Sequence, residues 1–154
     1  NQELAFLYEE EIDRLLETCD QSANKDLVII VRICLTTGTY WSEAQESKQS
    51  QILRGRLTFT QTKSKKNRTV SISPQLQEML PKKRGSLFSS AYEAYKSALR
   101  RTGIELPKGQ RPHVPRHTFA SHFMMRGGNI LALQQILGHS HVDDEIRSLR
   151  SKSP

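Results

Sequence analysis

Along the first quarter of the chain, apolar residues recur at helical spacing. Over residues 5–18, Leu4, Tyr8, Ile12, Leu15 and Leu16 fall on one face, and Glu9, Glu10, Asp13 and Glu17 on the other. That pattern predicts an amphipathic helix whose early carboxylates suit the positive helix N-terminus. Residues 27–37 are apolar nearly all round, which predicts a buried helix capped by Asp26 and stopped by Gly38. The period then changes to two. Leu57 and Phe59, then Val70 and Ile72, alternate with polar residues, so 52–60 and 68–73 read as two strands of a hairpin with a basic tip at 62–67. Pro74 opens a short helix to residue 80. A helix over 90–101 turns Tyr92, Tyr95, Ala98 and Leu99 inward. Two more, 113–125 and 129–137, are separated by Gly127 and Gly128, and Gly138 ends the second. After Val142 only Ile146 and Leu149 are large and apolar, and the period is lost. The fold class is therefore α+β, mainly α-helical with a small antiparallel β-sheet.

Composition narrows the class. The 154 residues, 36% hydrophobic and 25% charged, suit one domain spanning 1–154. No apolar run approaches the roughly 20 residues of a membrane span. The best, over residues 27–35, is interrupted by Arg32. The N-terminus shows no basic segment leading into an apolar one, so no signal peptide and no membrane association are expected. Cys19 and Cys34 make neither a disulfide framework nor a metal knuckle, and suit free thiols in a reducing cytoplasm.

Charge adds more. The net charge is +7, but residues 1–62 carry 6 basic and 10 acidic residues, and residues 63–154 carry 17 and 6. A basic half of this kind offers a surface to a polyanion, or is a solvated face with no ligand.

The densest chemistry lies in His113-Val114-Pro115-Arg116-His117-Thr118-Phe119-Ala120-Ser121-His122. On a helix, 113, 116 and 117 share a face, with Phe119, Phe123 and Met124 as core neighbours. A metal site would use His113 and His117. It lacks the Glu of a His-Glu-x-x-His motif, however, and places a cationic arginine between the ligands. Phosphate chemistry is a second reading, since arginine clamps phosphate bidentately and histidine moves a proton. A packed helix with exposed histidines is the third.

Two further segments bear on the choice: Leu137-Gly138-His139-Ser140, just past a helix end, and Thr62-Lys63 at the hairpin tip. With 36–44 (Thr-Thr-Gly-Thr-Tyr-Trp-Ser-Glu-Ala) and 60–70 (Thr-Gln-Thr-Lys-Ser-Lys-Lys-Asn-Arg-Thr-Val), they occur in the order and separation found in the tyrosine recombinases. The chain resembles the catalytic domain of that phage integrase family, closest to the integrases of temperate phages, over nearly its whole length. The resemblance implies the DNA breaking-rejoining fold and site-specific recombination or integration. In that chemistry a tyrosine attacks a phosphodiester, leaving a 3′-phosphotyrosine and a free 5′-hydroxyl, with no cofactor and no metal. Two arginines stabilise the phosphorane, a hairpin lysine protonates the leaving oxygen, and histidines orient the phosphate. By resemblance, Lys63 is the general-acid lysine, with Lys65 or Lys66 as alternatives. His113 and Arg116 form the His-x-x-Arg motif, and His139 is the histidine of the Leu-Gly-His segment. Glu43, which orients the first arginine, and His117 support the site. Lys65, Lys66, Arg68, Lys108 and Arg111 are candidate contacts to the DNA backbone. The implied partner is double-stranded DNA, bound as a homo-oligomer in a bacterial host's cytoplasm.

Two departures set further expectations. Tyr40 stands where the family has its first catalytic arginine, and a phenol supplies no charged fork to a phosphate. No tyrosine follows His139; the four are Tyr8, Tyr40, Tyr92 and Tyr95. The expectation is a domain lacking the N-terminal core-binding domain and the C-terminal nucleophile helix. It would be inactive in cis, and open to a tyrosine supplied in trans by an intact recombinase partner. A DNA-binding remnant without catalysis and an unrelated basic nucleic-acid-binding module are the alternatives. Pro115 is tolerable only if it falls in the first turn of its helix.

Overall fold

The computed structural model of the chain describes residues 4–59 and 67–138. Its helices are α1 (Glu9–Asp20), α2 (Leu27–Thr37), α3 (Trp41–Gln45), α4 (Pro74–Met79), α5 (Tyr92–Thr102), α6 (Val114–Met125) and α7 (Ile130–Leu137). Between α3 and α4, the strands β1 (Ile52–Leu53), β2 (Arg56–Phe59) and β3 (Arg68–Ser71) form one antiparallel sheet in the order β1-β2-β3. Among the described residues, no helix is long and apolar enough to cross a membrane.

α2 is the centre of the molecule because it is apolar on every side. Leu27, Ile30, Val31, Ile33 and Cys34 are all buried, and α1, α3 and α6 pack around it. α1 begins later than its periodicity predicts. Residues 4–8 form no helix, and Leu7, rather than the exposed Tyr8, turns inward. The cause is hydrogen bonding to α6: Leu7 N donates to Thr118 Oγ1 (3.0 Å), and the His122 ring bonds Leu7 O (2.7 Å). Ala5 N donates to Gln110 Oε1 at 2.6 Å, so this strip straps the turn before α6 as well.

The sheet holds a strand that alternation alone misses. Residues 52–59 are two strands, split by a tight turn at Arg54 and Gly55, both with positive φ (50° and 75°). That two-residue geometry matches the right-handed strand twist. Leu57 pairs with Val70 and Phe59 with Arg68.

Asp26 does not cap α2. Its backbone is already helical, whereas a capping side chain needs an extended residue. Its carboxylate accepts instead from Ser89 N and Oγ, at 2.8 and 3.0 Å. Ser73 and Asn129 do cap α4 and α7: Ser73 Oγ accepts from Leu76 N, and Asn129 Oδ1 accepts from Leu131 N and Ala132 N. His113 lies outside α6, on the 3-10 turn Arg111–His113 that precedes it. Pro115 is the second residue of α6 and has no N–H to give the Arg111 carbonyl. The Tyr95 hydroxyl donates to that carbonyl at 2.7 Å, tying α5 to the turn that carries His113. A smaller apolar cluster of Ala120, Met124, Leu133 and Leu137 joins α6 to α7.

Candidate active site

The ends of α2 and α7 and the start of α3 meet against α6, and Arg116 lies among them. It is the largest fully buried side chain among the described residues, 1% exposed. Its Nη1 donates to Gly38 O at 2.6 Å and its Nη2 to Leu137 O at 3.2 Å. Both acceptors lie at helix C-termini, where unpaired carbonyls and the helix dipole favour a cation. The αL glycines Gly38 and Gly138 end those helices just there, with φ of 75° and 78°. Gly38 has no room for a side chain: a Cβ would lie 2.5 Å from Phe119 and 2.7 Å from Leu137.

Tyr40 lies beneath this cation, with the Arg116 guanidinium carbon 3.9 Å from its ring centroid. The position expected to carry a charged clamp therefore carries an aromatic floor, which attracts the guanidinium electrostatically. Tyr40 also precedes α3, and its backbone N–H donates to Glu43 Oε1 (3.0 Å). The same oxygen accepts from Thr39 Oγ1 (2.7 Å) and from Arg68 Nη2 (3.3 Å). Arg68 Nη2 also donates to Thr39 Oγ1 at 3.1 Å.

Arg68 thus differs from the surface cation it resembles in sequence. It is 6% exposed, ion-paired to Glu43, with its guanidinium carbon 5.1 Å from the Phe59 ring centroid. The alternation of β3 carries the signal: residues 68 and 70 are buried while 69 and 71 are exposed, so Arg68 shares the inward face of Val70. Burial is the main force lowering the proton affinity of Arg68, and the charge of Arg116 acts in the same direction. Glu43 opposes both through its charge and its hydrogen bond. Burial holds the Cys34 thiol neutral well above its ordinary range; the Glu43 charge reinforces this and the Arg116 charge opposes it.

The remaining expected residues divide by exposure. His113 is exposed beside a hollow of about 330 Å³ lined by Tyr40, Trp41, Ser42, Tyr92 and Pro112. His117 is 1% exposed, its ring edge-on to Phe6 with centroids 6.5 Å apart. His113 and His117 therefore share no helical face. Lys108 and Arg111 are exposed on the loop before α6. Lys63, Lys65, Lys66 and His139 lie outside the described residues. Residue chemistry alone did not indicate Thr39, which is fully buried and bonded to both Arg68 and Glu43, or the carbonyls of Gly38 and Leu137. The helix-stop glycines at 38 and 138 were the available signal for those carbonyls.

Residues 82–146 match the profile described as "Phage integrase family". The integrase of Haemophilus phage HP1 is 63% identical over 145 residues, covering 94% of this chain and 43% of that protein. The integrase of Escherichia phage 186 is 53% identical over 146 residues, covering 94% and 44%. The chain therefore spans less than half the length of these relatives. The solved catalytic domain of bacteriophage HP1 integrase superposes with a TM-score of 0.93 at 61% identity, covering 99% of this chain and 90% of that one.

Proposed function

Because the chain belongs to the phage integrase family, we propose that it is a site-specific recombinase's catalytic domain, grasping duplex DNA and holding one phosphodiester against Arg116. One observation carries the reading: a fully buried guanidinium fixed by two helix C-termini, with His113 on the turn that leads into its helix. Such a cation is pre-aligned for a non-bridging phosphate oxygen and has little reorganisation left to do at the moment of reaction. His113 orients the phosphate from the exposed rim, and the buried His117 supports the helix behind it. Lys63 protonates the leaving 5′-oxygen, and His139 assists from beyond α7. Lys108 and Arg111, with Lys65 and Lys66, contact the DNA backbone.

The chemistry exchanges one phosphodiester for another. A tyrosine hydroxyl attacks the phosphorus, the 3′-phosphotyrosine forms, and the 5′-oxygen leaves with a proton. Tyr40 is committed to the floor under Arg116 and stands at the arginine position. We assign it no nucleophilic role and expect these 154 residues to cut no DNA by themselves. Loss of one transition-state donor costs on the order of 10²–10³ in rate. In the cell the domain acts on bacterial cytoplasmic DNA as a homo-oligomer.

Fluorescence anisotropy of a duplex, titrated at several salt concentrations, tests the reading. Affinity falling steeply with salt is expected, because several phosphates are neutralised. No binding even at low salt would overturn it. Mixing with an intact relative on nicked duplex distinguishes a working domain from a binding remnant: the former restores an SDS-stable protein–DNA adduct, the latter does not.

A further inference from the structure

Arg68 and Glu43 are paired in a way that leaves bonding capacity unused. Arginine and carboxylate ordinarily meet through two parallel hydrogen bonds. Here Nη2 makes the contact to Glu43 Oε1 at 3.3 Å, and it divides that donation with Thr39 Oγ1. Arg68 Nε is buried and donates to nothing among the described residues, and Glu43 Oε2 is buried and accepts nothing there. A guanidinium serving only to neutralise Glu43 would close that fork. This one instead keeps a desolvated N–H without a partner among the described residues, a state that native interiors rarely tolerate.

The location gives that unused donor a purpose. Arg68 holds Thr39 while Arg116 stacks on the adjacent Tyr40, so two guanidiniums flank one short stretch of chain. They are close enough that the Arg116 charge disfavours the charged form of Arg68. An anion between them would relieve that repulsion and accept the idle N–H. Glu43 is also the carboxylate that the family resemblance assigns to the first arginine, and here a different arginine occupies it.

We propose that Arg68 is the second phosphate-binding arginine of this cleft, reaching from β3 to the phosphodiester held by Arg116 and supplying the charge absent at position 40. The inference rests on the recombinase reading of the same site. It places a direct substrate contact on a strand residue, and it makes the Glu43–Thr39 pair the support that aims it.

The test uses the ¹⁵N-labelled chain and inorganic phosphate. Buried arginines give separate Nε–Hε cross-peaks, and phosphate is titrated against chloride at matched ionic strength. The Arg68 and Arg116 peaks should move together along one saturable curve. Arg68→Lys keeps the positive charge beside Glu43 but loses the planar fork. It should weaken phosphate binding, read at the Arg116 peak, by about tenfold. An Arg68 peak that stands still while that of Arg116 moves overturns the proposal, as does an unchanged curve for Arg68→Lys. The wild-type titration needs no variant to fold. Duplex binding measured in parallel separates the two readings. Salt-sensitive DNA binding with a static Arg68 peak ends this inference alone. Lost DNA binding with both peaks responding ends the recombinase reading and upholds the anion site.

Discussion

Replacing Gly38 with alanine should damage the site twice, in the packing around it and at a single carbonyl, in proportions the geometry sets. The residue is left-handed (φ 75°), which costs an L-residue about 1–2 kcal/mol. A Cβ there would also stand 2.5 Å from Phe119 Cδ2 and 2.7 Å from Leu137 Cδ2, inside any real contact distance. Overpacking of that kind costs roughly 1–3 kcal/mol more. Gly103 supplies the control: it has the same φ of 76° and nothing within 4 Å of its virtual Cβ, so Gly103→Ala bears the backbone cost alone. Urea unfolding should therefore show Gly38→Ala losing about 2–5 kcal/mol and Gly103→Ala about 1–2 kcal/mol. At this chain length each kcal/mol lowers Tm by roughly 2–4 °C. The Gly38 carbonyl holds Arg116 Nη1 at 2.6 Å, so the folded Gly38→Ala protein should also bind duplex DNA more weakly than Gly103→Ala does. Equal losses in the two variants would refute the packing argument. Equal DNA affinities would refute the claim that this carbonyl aims Arg116.

Tyr40→Arg returns a guanidinium within reach of Glu43 Oε2, a buried acceptor with no partner among the described residues. It should steepen the salt dependence of DNA binding by about one unit of slope, and an unaltered slope would refute it. Asn129→Ala removes the oxygen that receives Leu131 N and Ala132 N, and should cost about 1 kcal/mol in chemical denaturation. Burial pushes the Cys19 thiol up to about 12, against the charge of Arg101. Because the folded protein holds that proton more tightly than the unfolded chain, the stabilisation is complete below about pH 9. It is lost as the pH rises from there towards 12, so urea midpoints should fall over that interval, and less steeply in Cys19→Ala.

The helices were legible because α2 is apolar all round and because glycines stop α2, α5 and α7. The sheet was legible through its period of two, but a run of alternating residues gives no warning that Arg54 and Gly55 fold it back on itself. Asp26 and Tyr8 were misplaced for a related reason: a cap or an inward face depends on partners distant in sequence, Ser89 in one case and α6 in the other. In the site, the His-x-x-Arg spacing located Arg116 and its neighbours. Nothing local indicated that its hydrogen bonds run to carbonyls 78 and 21 residues away. Arg68 reads from the sequence as a candidate contact to the DNA backbone. The register of Val70 and Ile72 carried the opposite message, because strand alternation assigns a face regardless of residue type.

The exchange at position 40 is coherent once the surrounding charges are considered together. A carboxylate as enclosed as Glu43, with 13% of its side chain exposed, is costly without a cation. If tyrosine simply replaced arginine, Glu43 would be stranded. Arg68, reaching across from β3, removes that cost while leaving one oxygen and one N–H unsatisfied among the described residues. The Tyr40 ring meanwhile keeps a hold on Arg116 that needs no charge. Binding and catalysis would separate on that proposal: Arg116 and Arg68 keep the cleft folded and cationic, while the charge expected beside the reacting phosphorus comes from β3. A guanidinium delivered from a strand through one shared hydrogen bond is less firmly fixed than one anchored by two helix ends. Phosphate affinity should accordingly survive the change better than the rate of strand cleavage does.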